Sequence, residues 1–329
     1  MSPCLFCVYL DSLLIELRRS GLGCHIGGVF FGAFCYADDV IILSPSRDSL
    51  QLMLNICQKF AEDHSMQFST DPNPSKSKTK CLHFTLKKRA VHEVKLNGNN
   101  LPWVDRALHL GNKLTTDISM AHYGMNNSVD LLQKRSVFFQ NVHELRQAFG
   151  SYDTKMICEV IRIFGLSFYG SPLWSLNSEE HLKLNRSWNT VVKIIWDLPY
   201  ATHKRFVESL TQIPHVQSTL HGRYIGFIEN LSNSKKVQLQ VLFNICLHNQ
   251  LSNTGQNIAY LLKEYELDDM KALIENKYHV KTHRVNPLED GEEWKVDIIE
   301  ELSLIKKGFL EIEMDEGDIE VMLESITTD

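Results

Sequence analysis

The chain has 329 residues, 43% of them hydrophobic and 22% charged, which is enough apolar content for a sizeable core and enough length for two ordinary domains or one multi-lobed unit. The formal net charge of −6 hides a split: residues 285 to 329 hold fifteen acids against three bases, a net −12, while residues 1 to 284 hold 31 bases and 25 acids, a net +6. A mildly basic body suits a phosphate backbone and an acidic end does not, and no run approaches the ~18 uninterrupted apolar residues of a membrane span, so no membrane partner is expected.

The eight cysteines, Cys4, Cys7, Cys24, Cys35, Cys57, Cys81, Cys158 and Cys246, are widely spaced and mostly embedded in apolar runs. That pattern suits reduced, buried thiols in an intracellular protein, nuclear or cytoplasmic. Cys4 and Cys7 form a CxxC pair, but no second pair at zinc-site spacing follows. His279 and His283 have HxxxH spacing without a glutamate after the first or a third ligand nearby, and read as a surface pair.

At the start, Leu5, Val8, Leu10, Leu13, Leu14 and Leu17 recur at helical spacing, and Arg18, Arg19 and Gly21 close the pattern. No basic residue precedes the apolar stretch from Pro3 to Leu10, Asp11 interrupts it, and no small-residue cleavage site follows. It therefore reads as the start of a buried helix rather than a signal peptide. Cys24 to Phe31 reads as a strand with a bulge at Gly27-Gly28.

Next comes Phe34-Cys35-Tyr36-Ala37-Asp38-Asp39-Val40-Ile41-Ile42-Leu43. Apolar, β-forming runs flank a break at Ala37-Asp38, so two buried strands joined by a hairpin turn are expected, with two carboxylates at the tip. Adjacent carboxylates repel and resist desolvation; a cation would relieve both, and oxygen-only ligands favour Mg²⁺ or Mn²⁺. An ordinary solvated turn accounts for the same residues, since Asp is a common turn former.

A helix is expected over about Arg47 to Ser65, N-capped by Ser46, with Leu50, Leu54, Cys57, Phe60 and Ala61 on one face. Pro72, Pro74 and small polar residues then enforce a loop that runs through Lys76, Lys78 and Lys80 into a strand at Cys81 to Thr85. Lysines spaced by two project to one side, where they either face phosphate or keep an edge strand soluble. Val91 to Val104 is a hairpin turning at Asn97-Gly98, and Leu108 to Leu114 continues it. From about Ala121 the pattern turns helical, through Val129, Leu132, Val137, Phe138, Val142, Leu145 and Phe149, and then over Lys155 to Ser167. Asp268-Asp269 lies in a charged helical stretch and reads as surface. Acidic helices are expected over about 293–307 and 318–326.

In this order the features resemble a known family. Tyr36-Ala37-Asp38-Asp39 after an apolar strand resembles motif C of reverse transcriptases, and the downstream order resembles non-LTR retrotransposon polymerases, the RTE-like clade especially. The segment around Lys76 is similar to motif D, with Lys76 the better match and Lys78 the second. Leu108-His109-Leu110-Gly111 is similar to motif E, the primer grip, with His109 where tyrosine is usual. Leu166 to Trp174, Trp188-Asn189-Thr190 and Leu198 to Arg205 resemble the region after the thumb, and the resemblance spans about Met1 to Gly255.

The resemblance implies an α/β fold: a partial polymerase palm, mostly antiparallel sheet with helices, followed by a mainly α-helical thumb and C-terminal region. Its parts would be a palm over 1–116, a thumb-like region over 117–170, a post-thumb region over 171–263 and an acidic C-terminus over 264–329. It implies two-metal nucleotidyl transfer, with Asp38 and Asp39 as ligands of Mg²⁺ or Mn²⁺ and Lys76 steadying the departing pyrophosphate. Tyr36, Lys76, Lys78, Lys80, His109 and Gly111 would lie against an RNA template and DNA primer. The third, bridging carboxylate belongs to motif A, upstream of the Gln-Gly-x-x-x-Ser-Pro segment of which Ser2-Pro3 is the only trace. The expectation is therefore a reverse transcriptase fragment that is inactive alone. Two alternatives are a non-catalytic nucleic-acid-binding remnant, with Lys87, Lys88 and Arg89 adding charge, and a decayed element without selected function. A half-palm leaves a sheet face bare, so marginal stability or self-association is expected.

Overall fold

The computed structural model describes residues 2–71, 73, 75–85, 92–119, 124–125, 128–149, 154, 156–157, 160–161, 168–203, 207, 216–249 and 251–277. The His279–His283 pair, both acidic C-terminal helices, Cys158 and the bases Lys87, Lys88 and Arg89 lie outside them, as do the side chains of Cys4 and Cys7. The fold is mixed α/β. The described residues fall into two compact units, drawn from Met1–Asp130, Leu173–Ser175 and Gly226–Glu266 for the first, and from Leu131–Pro172, Leu176–Ile225 and Leu267–Asp329 for the second.

In the first unit, α1 (Ser2–Arg19) leads into four short strands, β1 (His25–Ile26), β2 (Val29–Phe30), β3 (Ala33–Tyr36) and β4 (Asp39–Ile42), and then into α2 (Arg47–Asp63). Leu10, Leu13 and Leu17 bury one stripe of α1 against Met53, Cys57 and Phe60 of α2, and Ala33, Cys35 and Ile42 pack on the same cluster. The leucines recur three or four apart, so they line one helix face, which is why this stripe and not its neighbours goes inside. Ser46 caps α2 as expected, its hydroxyl accepting from the Ser49 amide at 3.2 Å.

Gly27-Gly28 is the turn between β1 and β2, with φ of 56° and 77°, rather than a bulge in one strand. Two consecutive positive φ values are what a two-residue hairpin of the I′ kind requires, and glycine adopts them without strain. The backbone bond from Cys24 N to Leu43 O (3.1 Å) joins the first hairpin to the second, whose own ladder is extended by Leu43 N to Gly32 O (2.8 Å). Gly23, at φ +85°, sits where a Cβ would come within 3.1 Å of the Leu43 carbonyl and 3.0 Å of both the Met53 methyl and the Gly32 Cα. The close approach of backbone to backbone there leaves room only for glycine.

Further on are β5 (Lys95–Leu96), β6 (Asn99–Asn100), β7 (Arg106–His109), β8 (Asn112–Thr115), β9 (Ile118–Ser119) and β10 (Gly124–Met125). The β5–β6 turn is Asn97-Gly98 (φ 52° and 74°), as its sequence requires. The ten strands pair as five separate antiparallel ladders of two, so the continuous sheet expected from the resemblance is not present among the described residues. The strand expected over Cys81–Thr85 reduces to one bridge, Cys81 to Trp103. Side chains of α2 do part of the work that neighbouring strands would do. Gln51 exchanges bonds with the Lys95 amide and carbonyl (2.8 and 2.9 Å), and Gln58 accepts from the Asn97 amide at 3.1 Å.

The helical pattern expected from Ala121 begins later, with α3 (Ser128–Phe149), because residues 124–125 pair with 118–119. Of the helix expected over Lys155 to Ser167, only 156, 157, 160 and 161 are described; Ile157 and Ile161 are buried. A 3₁₀ turn, Ser171–Leu173, precedes α4 (Glu179–Ile195), α5 (Val216–Ser232), α6 (Val237–His248), α7 (Asn253–Glu264) and α8 (Met270–Glu275). In the second unit, Leu184, Trp188, Val191 and Ile195 form the buried stripe of α4, and the Phe138 ring lies 6.0 Å from the Trp188 ring and 5.8 Å from Phe168. Asp269 caps α8 by accepting from the Ala272 amide at 2.8 Å, so Asp268-Asp269 opens a helix instead of lying within one, and both are exposed. Among the described residues, no helix is long and apolar enough to cross a membrane.

Candidate functional site

The β3–β4 hairpin carries the paired carboxylates. Its register pairs Ala33 with Ile42, Phe34 with Ile41, Cys35 with Val40 and Tyr36 with Asp39, leaving Ala37 and Asp38 as the two turn residues. The break falls where the sequence pattern puts it. The strands are not buried, however: β3 alternates between half-buried and exposed, and Asp39 opens β4 exposed. The cause is packing on one side only, with Ala33 and Cys35 turned to the α1–α2 cluster and Phe34 and Tyr36 turned outward.

Ala37 has φ of 52°. A residue with a Cβ in that region costs about 1–2 kcal/mol relative to the right-handed one, and glycine would avoid the cost. The same positive φ opens the other two-residue hairpins, at Gly27, Asn97 and Leu110, so the tight turn itself requires it. The turn presents Asp38 and Asp39 to solvent, where neither carboxylate makes a hydrogen bond or ion pair with another described residue. Tyr36, 68% exposed, stands beside Asp39 across the ladder.

Two carboxylates on one turn can share a divalent cation, with water completing the oxygen shell. A two-metal site takes more. Among the described residues, no group of three or more His, Cys, Asp or Glu side chains is placed to hold a metal ion. What this turn brings together is two carboxylates, Asp38 and Asp39, the oxygen donors that would hold a divalent cation here.

The lysine segment is a loop built on its own side chains. The Asp71 carboxylate accepts from the Asn73 amide (2.7 Å), the Asn73 side chain accepts from the Ser75 amide (3.0 Å), and the Thr79 hydroxyl donates to the Ser69 carbonyl (2.8 Å). Ser77 is buried, its hydroxyl donating to the Thr79 carbonyl at 2.8 Å, while Lys76, Lys78 and Lys80 are exposed. The alternation expected of a strand thus survives in a loop, and it points the three ammonium groups away from the buried serine. No hydrogen bond or ion pair joins these ammonium groups to the Asp38 and Asp39 carboxylates.

His109 and Gly111 belong to the β7–β8 hairpin, whose turn is Leu110 (φ 46°) and Gly111 (φ 74°). His109 is half-buried opposite Asn112, and Gly111 is exposed. The residue that fixes this hairpin is one sequence reasoning passed over. Asp130, 5% exposed, accepts from the Lys113 amide (3.2 Å) and from Trp174 Nε1 (2.9 Å), and Asn257 Nδ2 donates to the Trp174 carbonyl at 2.8 Å. A buried carboxylate needs such donors. Its sequence signal was an acid in the first turn of α3 among apolar neighbours.

Among the described residues, Cys24, Cys35, Cys57, Cys81 and Cys246 form no disulfide. Burial pushes Cys57 up to about 12 and Cys81 up to about 11, so both stay protonated and unreactive at neutral pH. Compared with known proteins, the chain matches no family model and no curated protein.

Proposed function

We propose that this chain is part of a non-LTR retrotransposon reverse transcriptase, carrying the motif C turn, the motif D loop and the primer-grip hairpin, and that it binds a template–primer without polymerising on its own. The observation that carries the reading is the Tyr36-Ala37-Asp38-Asp39 turn: a two-residue hairpin, backed by two helices, that sets adjacent carboxylates in solvent next to an exposed tyrosine. The lysine loop and the Leu110-Gly111 hairpin follow it in the order the family uses. In that family Asp38 and Asp39 hold metal, Lys76 acts on the leaving pyrophosphate, and Tyr36, His109 and Gly111 lie along the primer. Nucleotidyl transfer needs a third carboxylate between the metals. The described residues supply two.

Two measurements on the full chain test this. In primer extension on an RNA template with Mg²⁺ or Mn²⁺, no template-dependent incorporation is expected; incorporation that disappears in Asp38→Ala would overturn the inactive reading. In salt titrations of RNA–DNA template–primer binding, replacing Lys76, Lys78 and Lys80 by alanine should lower the slope of log K against log salt by about 2 to 3, at roughly 0.9 per phosphate contact. An unchanged slope would remove the lysine loop from the reading.

A further inference from the structure

The second unit holds a cationic cleft that the polymerase reading leaves without a task. It measures about 480 Å³, opens broadly to solvent, and is lined by Arg135 and Phe139 of α3, Lys183, Arg186 and Ser187 of α4, and Tyr200. Periodicity explains the convergence. Arg135 and Phe139 are four apart on one helix, and Lys183 and Arg186 are three apart on the other, so each pair shares a face. The two faces are pinned by Arg135 Nε, which donates to the Ser187 hydroxyl at 2.6 Å while its guanidinium lies 5.7 Å from the Phe139 ring centroid. Among the described residues both Nη groups of Arg135 remain without a hydrogen bond, and Arg186 is exposed, with the Glu179 carboxylate close enough to feel its charge. Lys183 pairs with Glu179 at 2.9 Å, but both side chains are substantially exposed, and a pair of that kind exchanges readily for a phosphate.

Tyr200 adds a second chemistry. It is 85% exposed, yet it is held in place: Lys193 Nζ donates to its carbonyl at 2.7 Å and lies 5.6 Å from the ring centroid, and the preceding turn is closed by Leu198 N to Lys193 O at 2.8 Å. One ring face thus meets an ammonium group and the other is open. We infer that this cleft is a single-stranded nucleic-acid site, in which Arg135, Lys183 and Arg186 take the phosphates and a base stacks on the open face of Tyr200. Cations together with an exposed ring are the pairing that single-strand sites use; a phosphopeptide would need the cations alone, and a bilayer would need an apolar wedge that this polar rim does not offer. The inference does not rest on the polymerase reading.

The test is fluorescence anisotropy on the full chain with a labelled single strand of about ten nucleotides. Tyr200→Ala should weaken binding about 5- to 150-fold, the measured span of one base–aromatic stack, and Tyr200→Phe should retain it. Arg186→Gln should lower the salt slope by about 0.7. Binding should survive alanine at Lys76, Lys78 and Lys80, which separates this site from the lysine loop. Binding that is lost in the lysine variant and unmoved by Tyr200→Ala overturns the inference. So does equal affinity for an abasic strand of the same length, or preference for a phosphopeptide or an anionic phosphatidylserine vesicle.

Discussion

The two units display charge by different means. In the first, Asp38, Asp39, Lys76, Lys78 and Lys80 stand on turns and a loop, each group set by local backbone geometry and exposed to water. In the second, Arg135, Lys183 and Arg186 stand on helix faces over an aromatic core, and one of them is bonded to a buried serine. Turn-borne charge depends on a few dihedral angles and on a ladder of four residue pairs. Helix-borne charge depends on packing, because a shift of one helix along the other would separate Arg135 from Ser187. The first kind is sensitive to glycine and alanine exchanges, the second to loss of core volume.

The largest effect should therefore come from the second unit's core. Trp188→Ala removes a ring packed on Phe138 and should cost about 3–5 kcal/mol in urea unfolding, while Leu13→Ala in the first unit should cost about 2–5. Near-zero costs for both would mean that these clusters are not the cores. Asp130→Ala leaves Trp174 Nε1 and the Lys113 amide without their acceptor, and a loss of about 2–3 kcal/mol is expected. Asp130→Asn retains one acceptor oxygen and should recover part of it.

Stability should also fall with alkali. The folded-state pKa of Cys57 is raised from the ordinary 9.0 to about 12, so its contribution is fully present below pH 9 and is lost as pH rises toward 12. Melting temperatures over that window should fall less steeply in Cys57→Ala than in the wild type, after allowing for the cavity. Thiol labelling at neutral pH should favour the half-buried Cys24 over Cys57 and Cys81. The opposite labelling order would contradict the burial.

Ala37→Gly should give the smallest change and of opposite sign: relief of the left-handed alanine should stabilise the hairpin by up to about 1 kcal/mol. A loss instead would show that the Ala37 methyl packs usefully. At Glu179 the hydrogen bond and charge of Lys183 hold the carboxyl below its ordinary range, so the benefit is present at neutral pH and fades as pH falls through the folded-state value. Both groups are exposed, so salt should erase most of it.

Much of the local structure was legible in the residues. Asn97-Gly98 and the break at Ala37-Asp38 mark turns, Ser46 marks a helix start, and the leucine stripes of α1 and the apolar face of α2 mark what goes inside. Each of these depends on residues within about one turn of each other, so composition and spacing carry them. Gly27-Gly28 misled because a bulge and a I′ turn ask for the same two glycines. Only the partner strand decides between them.

Contacts between distant segments were decided by tertiary structure alone. Asp130 meets Trp174 across 44 positions, and Arg135 meets Ser187 across 52; nothing in the spacing of either pair announces them. Whether β3 and β4 would be buried was likewise a tertiary question. Their apolar residues would have allowed cover on both faces, and the helices supplied it on one. The Ala37-Asp38 turn, with Asp39 directly after it, is therefore a property of the sequence. Its openness to solvent, and the cleft around Tyr200, come from how helices fall against one another.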